Sequence, residues 1–386
     1  MMTFDITEYL AKLPPIPWVG MRTHEVIGID IGSASIKIVQ LKGEPGKYQL
    51  TRWAIIYLSN LAEEEKQETA ELSPKEKKTI ATSLLRNYRT SGKNIPKNVV
   101  ASISGSSVIV RYVKFQKLTR KELSKTIKME AEPYIPFNVD EVYIGFHPLR
   151  DVISEGKSKM ETVLVAAKQD SVHQKVEIRE GAGFKPVMMD VDAFALEAVY
   201  DAAFPTALQE TVLIANIGRS QTNFVIVEKG LSLVVKDSLI SGNSVNKMII
   251  KNLGVNLETA EKLKMSHSLL VSQQEKENAL NTGKRQAIGV SNALATLAND
   301  LIAEIKKLIE FYNMRGSDKQ ISRMIISGGS SNIKNLIPFF SKELNLPVEK
   351  LNPFMGIAGA ETVPEDYRAT LSVAVGLAMR RPGDIK

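Results

Sequence analysis

One short unit occurs twice in this chain, and that repetition limits the possible folds more than any other feature. Residues 26–42 read VIGIDIGSASIKIVQLK: an apolar strand runs into Asp30, a small-residue turn follows, and a second apolar strand leads out. Residues 211–228 read TVLIANIGRSQTNFVIVE and repeat the pattern, with Asn216 where the first copy has Asp30. β-branched residues on either side of a Gly-containing turn read as two strands joined tightly. Each copy is followed by a third strand pattern, at residues 48–58 (YQLTRWAIIYL) and 231–240 (LSLVVKDSLI). The copies lie much further apart than the roughly 20–50 residue period of a solenoid. The expected fold is therefore α/β and two-lobed, one lobe on each copy, with a cleft where the turns face one another.

Both turns have the make-up of an anion cradle. Gly32, Ser33 and Ser35 in the first, and Gly218, Ser220 and Thr222 in the second, let backbone N–H groups approach closely and add hydroxyl donors. Asp30 stands at a strand end, where a carboxylate can hold a hydrated divalent metal, and Lys37 lies close enough in sequence to reach a phosphate. A third segment suits the same cleft. Residues 324–336 read MIISGGSSNIKNL, a short strand opening through Gly328 and Gly329 into Ser330, Ser331, Asn332 and a helical pattern. Two glycines there let the backbone lie flat against a planar base or ribose. Taken singly, a polar hairpin turn or a tight strand-to-helix loop explains each piece; all three in this order point to a nucleotide.

Composition narrows the alternatives. The chain has 386 residues, enough for two or three domains, with 44% hydrophobic and 24% charged residues, which are globular values. It has no cysteine, which removes disulfides, thiolate metal sites and cysteine nucleophiles. No apolar run approaches the roughly 18–20 residues that span a bilayer. The opening MMTFDITEYLAKLPPIPWVG lacks the continuous apolar core of a signal peptide. The expectation is a soluble cytoplasmic protein. The net charge of +7 is spread over helix-like patterns interrupted by acids, and no zinc-knuckle or recognition-helix signature accompanies it, so no nucleic-acid partner is expected.

Along the chain, residues 1–22 form an N-terminal arm in which Ile6, Leu10 and Leu13 keep helical spacing until Pro14 and Pro15 stop it. Residues 23–97 are the first part of lobe one, with an acidic surface loop near 59–73 and a helical stripe of Ile80, Leu84, Leu85 and Tyr88. Residues 98–183 read as an inserted α/β subdomain. There Thr119-x-x-Glu122 is a capping box that opens a helix with Leu123, Ile127 and Ala131 on one face, and Asp170 caps a later helix. Residues 184–210 return to lobe one. Asp190 and Asp192 open a helix, where carboxylates meet the dipole favourably. Residues 211–365 form lobe two. Gly242 follows its third strand, Glu261 and Lys264 share a helix, 266–282 reads as a polar loop, and 286–315 is the longest helix, closed by Gly316. Residues 366–386 form an Ala/Gly-rich hinge helix returning to lobe one.

The segments EAEPYIPFNVDEV (130–142), VLVAAKQD (163–170), VMMDVDAFALEAVY (187–200), LNPF (351–354) and AVGLAMRRPGD (374–384) carry a narrower resemblance. With the two turns as phosphate loops and residues 326–332 as an adenosine loop, the chain resembles the actin-like (ribonuclease H-like) ATPase superfamily. More narrowly it resembles the PilM family of type IV pilus assembly proteins in its FtsA-like branch. The resemblance implies ATP or ADP with Mg²⁺ as cofactors, and Asp192 at the place of an acid that orients the attacking water. It implies Glu261 and Lys264 near ribose and base, where a plain surface ion pair is the alternative. It also implies a PilN N-terminal cytoplasmic peptide as partner, coupling to motor ATPases and platform proteins, and a cytoplasmic location peripheral to the inner membrane. A filament-forming FtsA-like membrane tether and a sugar or metabolite kinase are the alternatives; the Pro382-Gly383 ending disfavours a terminal amphipathic helix, and Asn216 disfavours the kinase.

Asn216 departs from the superfamily pattern, which calls for a second acid. An amide accepts a hydrogen bond from metal-bound water but brings no charge. ATP is therefore expected to act as a structural ligand that closes the lobes, with slow hydrolysis at most. Arg219 in the same turn either contacts phosphate or points to solvent.

Overall fold

The structure is a computed structural model, and it describes residues 25–58, 73–154, 156–207, 209–314 and 320–381. The N-terminal arm, nearly all of the acidic 59–73 segment, Gly316 and the Pro382–Asp384 ending lie outside the described residues.

Lobe one begins with β1 (Glu25–Ile31), β2 (Ser35–Lys42) and β3 (Gln49–Tyr57), followed by α1 (Pro74–Ser91) and β4 (Asn98–Ile103). β1 and β2 pair antiparallel in a register that sets Asp30 opposite Lys37. Three further strands, β5 (Val108–Gln116), β6 (Val142–Ser154) and β7 (Lys157–Lys168), form a separate sheet in the order β5-β7-β6. Between β5 and β6 lies α2 (Arg120–Ala131), with the expected capping box: Thr119 N–H donates to Glu122 at 2.8 Å and Glu122 N–H to Thr119 Oγ1 at 3.3 Å. Its buried Leu123, Ile127 and Ala131 pack on Val113, Phe115 and Leu164 of that sheet. The chain returns through α3 (Gln169–Gly181), β8 (Lys185–Val191) and α4 (Asp192–Ala203).

This topology changes one boundary. Residues 98–183 read as one insertion in the sequence, but β4 pairs parallel with β1 and with β8 in the main sheet, ordered β3-β2-β1-β4-β8. Helix α3 packs against α1 of lobe one. Among the described residues, β5, β6, β7 and α2 make up the small subdomain, and Val108, Val110, Val163, Val165 and Ala167 of its sheet pack into one core with Val100, Ala101 and Ile103 of β4. Two local expectations also change. Asp170 lies in the first turn of α3, whose N-cap is Lys168, and Asp190 belongs to β8.

Lobe two repeats the plan with β9 (Thr211–Ile217), β10 (Thr222–Glu228) and β11 (Leu231–Ser238). Then come α5 (Gly242–Leu253), α6 (Leu257–Ser266), α7 (Gln273–Asn281), α8 (Arg285–Met314) and β12 (Arg323–Ser327). The chain continues through α9 (Leu336–Leu344), β13 (Val348–Lys350), α10 (Glu365–Arg368) and α11 (Ser372–Ala378). Its sheet runs β11-β10-β9-β12-β13, the same order as lobe one: three antiparallel strands, then two parallel ones. The segment read as a polar loop at 266–282 contains α7, opened by a capping box of Ser272 and Glu275. The long helix α8 buries Val290, Leu294, Leu297, Leu301, Ile305, Leu308 and Tyr312 against this sheet. Each fully buried Leu or Ile of that stripe contributes about 1.5–3 kcal/mol by leaving water.

Between the lobes, α11 is wedged against both β1 and α4. A Cβ on Gly28 would sit 2.2 Å from Ala374 O, and one on Gly376 would sit 2.0 Å from Ala195 O, so backbone meets backbone on both sides. Just beyond α11, Arg380 donates through Nε to Asp190 Oδ2 at 2.5 Å, with both side chains buried. Removing either partner would leave an uncompensated interior charge. Among the described residues no helix is long and apolar enough to cross a membrane.

Candidate nucleotide-binding cleft

The two hairpin turns and the Gly328–Gly329 loop converge on one cleft of about 640 Å³, within the size range of small-molecule sites. Ser33, Gly218 and Gly329 all line it.

The first turn closes with Gly32 N–H donating to Ser35 O at 3.1 Å, and Gly32, Ser33 and Ser35 face the cleft. Because Asp30 and Lys37 are opposite each other across the hairpin, their side chains pair, Nζ to Oδ2 at 2.8 Å. A Cβ on Gly32 would lie 3.0 Å from that ammonium, so glycine leaves Lys37 its room. The second turn closes the same way, Gly218 N–H to Gln221 O at 2.9 Å. Its carbonyls are held from behind: Gly242 N–H donates to Gly218 O at 3.0 Å, Asn243 N–H to Arg219 O at 2.7 Å, and Ser330 Oγ to Gly218 O at 3.3 Å. Gly242 does not line the cleft. It lets the start of α5 press on the turn, since a Cβ there would lie 2.5 Å from Ser330 Oγ.

Thr222 differs from expectation. It is already the first residue of β10, so side-chain alternation sends it to the buried face, where its hydroxyl donates to Ile240 O at 2.7 Å. Its neighbour Asn223 takes the cleft side. Asn216 Nδ2 donates to Asn223 Oδ1 at 2.9 Å, Asn223 Nδ2 donates to Asp237 Oδ1 at 2.7 Å, and Gly105 N–H donates to the other oxygen of Asp237 at 2.5 Å. The Asp237 carboxylate is thus held behind two amides; burial pushes it above its ordinary value against those hydrogen bonds.

At the far end, Gly328 has φ +84°, and a Cβ there would meet Ile217 O at 2.5 Å and Asn216 Oδ1 at 2.7 Å, so only glycine fits. Gly329, Ser330 and Asn332 line the cleft beyond it, Asn332 held by donation to Asp366 O at 2.6 Å. Glu261 and Lys264 line it too, and they are not a surface pair: the Lys264 side chain is 2% exposed, with Nζ 2.7 Å from Glu261 Oε1. Burial alone would push the Glu261 carboxyl up, but the Lys264 ammonium and the Asn246 amide outweigh it and hold it below its usual range.

Asp192 opens α4 at the floor of the cleft. Burial, and then the charge of Asp30, raise its carboxyl to about 6, against Lys175 and the hydroxyls of Ser102 and Ser104. A folded-state value above the free 3.8 means that the folded protein holds this proton more tightly. The resulting stabilisation is complete below about pH 4 and is lost as the pH rises through 6. Asp192→Asn is therefore expected to be more stable than wild type at pH 8, by about 1–3 kcal/mol, with the gain gone by pH 4. Chemical denaturation at both pH values checks this; a difference independent of pH would contradict it.

Several cleft residues gave no turn motif in the sequence. Lys175 lines the floor from α3, and Arg179, fully buried one turn on, donates to Ile29 O at 2.8 Å and to Lys175 O at 2.7 Å. Gln221 Nε2 donates to Ser104 Oγ at 2.7 Å and joins the second turn to lobe one. The available signal was a cation on an apolar stripe: Val172, Val176 and Arg179 keep helical spacing.

The donor set suits a polyphosphate: hydroxyls of Ser33 and Ser220, with the cations Lys175 and Arg219, face one space. It does not suit a divalent ion clamped between the lobes. Asp30 is already paired with Lys37 and Glu261 with Lys264, Asp192 is on the same lobe as Asp30, Asp366 stands beside Asn332 of the Gly328–Gly329 loop, and the second turn offers amides.

A model of the family described as type IV pilus assembly protein PilM matches residues 28–382. Among solved structures, one titled PilM-PilN type IV pilus biogenesis complex aligns over 92% of this chain and 97% of that one, with TM-score 0.72 and 22% identity. The ethanolamine utilization protein EutJ from Carboxydothermus hydrogenoformans covers 95% of this chain and 91% of its own, at TM-score 0.51 and 13% identity. A chain of the MamK double helical filament covers 93% and 99%, at TM-score 0.51 and 12% identity. These likenesses establish an actin-like fold.

Proposed function

Because the chain belongs to the type IV pilus assembly protein PilM family, we propose that it is a nucleotide-holding scaffold of the pilus assembly platform. It works at the cytoplasmic face of the inner membrane, bound there through partners. The observation that carries the nucleotide reading is the convergence of both hairpin turns and the Gly328–Gly329 loop on one cleft. In this reading the triphosphate lies between Ser33 and Ser220, and the adenosine lies along Gly329 and Asn332 near Glu261 and Lys264. Asp192 is the acid that would orient an attacking water. The protein supplies binding and orientation, while the second turn lacks the charge that would activate water, so hydrolysis is slow and ATP acts as a structural ligand.

The partner is the cytoplasmic N-terminal segment of PilN, and the motor ATPases follow through the same platform. The resemblance to a PilM-PilN complex over nearly the full length of both chains supports this. The EAEPYIPF stretch closes α2 of the small subdomain, with its own Tyr134 42% exposed and the preceding Met129 68% exposed. A single capture experiment tests partner and turnover together: the protein is incubated with ATP and an immobilised PilN N-terminal peptide, and the nucleotide in the eluate is separated chromatographically. Retention on the peptide with mostly intact ATP is expected. No retention would remove the PilN assignment, and an eluate containing mainly ADP would remove slow hydrolysis.

A further inference from the structure

Five cations line the cleft among the described residues, and one of them, Lys334, donates to Ser266 O at 3.5 Å. Lys37 and Lys264 are paired, with Asp30 at 2.8 Å and with Glu261 at 2.7 Å. Lys175 and Arg219 also line the cleft, and neither forms an ion pair or a side-chain hydrogen bond within the described residues. They approach from opposite lobes, Lys175 on α3 of lobe one and Arg219 in the second turn of lobe two.

Lys175 is in an unusual position for an unpaired ammonium. It is partly buried, and the cation that acts on it most strongly is the fully buried Arg179, one turn further along the helix. Arg179 cannot turn away, because it donates to Ile29 O of β1 and to the backbone carbonyl of Lys175 itself. Those two bonds tie this turn of α3 to the strand that leads into the first phosphate turn. Two crowded cations at the floor of a cleft are unfavourable unless an anion joins them. Asp192 and, after it, Asp30 supply part of that compensation through space, but Asp192 is itself buried and held by the hydroxyls of Ser102 and Ser104, and Asp30 is engaged by Lys37. Lobe two, meanwhile, presents Asn216 and Asn223 where a metal-clamping cleft needs a carboxylate.

We propose that this cleft grips a nucleoside triphosphate with fixed cations in place of a lobe-bridging divalent metal, Lys175 meeting the terminal phosphate from lobe one and Arg219 from lobe two. The inference rests on the nucleotide reading above and adds how the charge is neutralised. The consequence is an affinity for ATP that survives removal of Mg²⁺, and a preference for triphosphate over diphosphate set by Lys175.

The test is equilibrium binding to the purified full chain by calorimetry, with ATP, ADP and adenosine, each in Mg²⁺ and in EDTA. Wild type is expected to bind ATP in EDTA within about tenfold of its affinity in Mg²⁺. Loss of a charged hydrogen bond corresponds to roughly a 10–100-fold loss of affinity. Lys175→Met is expected to weaken ATP by that factor and ADP by less, with adenosine unchanged, and Lys175→Arg is expected to restore most of it. Unchanged adenosine affinity shows that the variant has kept its cleft. Should Lys175→Met not fold, Arg219→Ala in the partly exposed turn and the wild-type EDTA measurement decide in its place. ATP binding that requires Mg²⁺ and is indifferent to Lys175→Met or Arg219→Ala overturns the inference while leaving the nucleotide reading intact. Absence of nucleotide binding by wild type in either buffer overturns both.

Discussion

Gly376→Ala is expected to cost on the order of 3 kcal/mol or more of stability and to lower the melting temperature by about 10 °C. The added methyl would sit 2.0 Å from Ala195 O, 2.6 Å from its carbonyl carbon and 2.9 Å from its Cα. All three are backbone atoms of α4, so no rotamer change relieves the clash. Nor can α11 retreat, because on its other side Gly28 admits Ala374 O to 2.2 Å of where a Cβ would stand. The helix is fixed between the first strand of lobe one and the helix that carries Asp192. The effect therefore reaches beyond stability to the spacing of the two lobes. Gly289→Ala is the matched control. Gly289 lies inside α8, its added methyl would meet only Leu253 Cδ2 at 3.5 Å, and the substitution should stabilise by about 0.5–1 kcal/mol through helix propensity. Chemical denaturation of the two variants side by side checks this; equal stabilities would contradict the wedge.

The lobed plan was legible because hairpins are local. A strand, a glycine turn and a returning strand announce themselves within about twenty residues, and here they do so twice. The α8 stripe and the Thr119–Glu122 box were legible for the same reason. Parallel pairing leaves no such trace, since its partner lies far away in the chain. Hence β4 looked like the start of an insertion although it pairs with β1 and β8. Helix α7 was hidden by its polarity: its only buried side chain is Ala279, and its capping box at Ser272 and Glu275 was the signal available.

The site divides along the same line. Residues in the turns could be named from the turns. Thr222 was misplaced by a single step of strand alternation, which exchanges it with Asn223. Gly242 supports the second turn from behind without facing the cleft. Lys175 and Arg179 come from a helix whose buried face is read as core until the sheet it covers is known to carry a phosphate turn. Asp190, read beside Asp192 as a helix opener, is a buried partner of Arg380, distant in sequence by nearly half the chain.

The nucleotide reading predicts an equally large effect at a different glycine. Gly329 faces the cleft with an ordinary backbone conformation, and an added Cβ would have only Thr370 Oγ1 within 4 Å, at 3.9 Å. The Cβ thus meets open space at the cleft lining, where a larger side chain would compete with a bound ligand. Gly329→Leu is thus expected to leave the fold intact, with a melting temperature within about 3 °C of wild type, since surface-type substitutions of this kind change stability little. At the same time it removes the flat surface on which the adenosine would lie, and expels the ligand. A steric block of this kind acts on base, ribose and phosphate together, so it exceeds the loss of any single hydrogen bond.

Calorimetric titration of ATP into wild type and Gly329→Leu is the most direct measurement. Wild type should bind one ATP per chain with a Kd on the order of micromolar, about −8 kcal/mol, and the folded variant should bind at least about 100-fold more weakly. Equal affinity in the two proteins, or no binding by wild type, would contradict a nucleotide cleft between the paired hairpins.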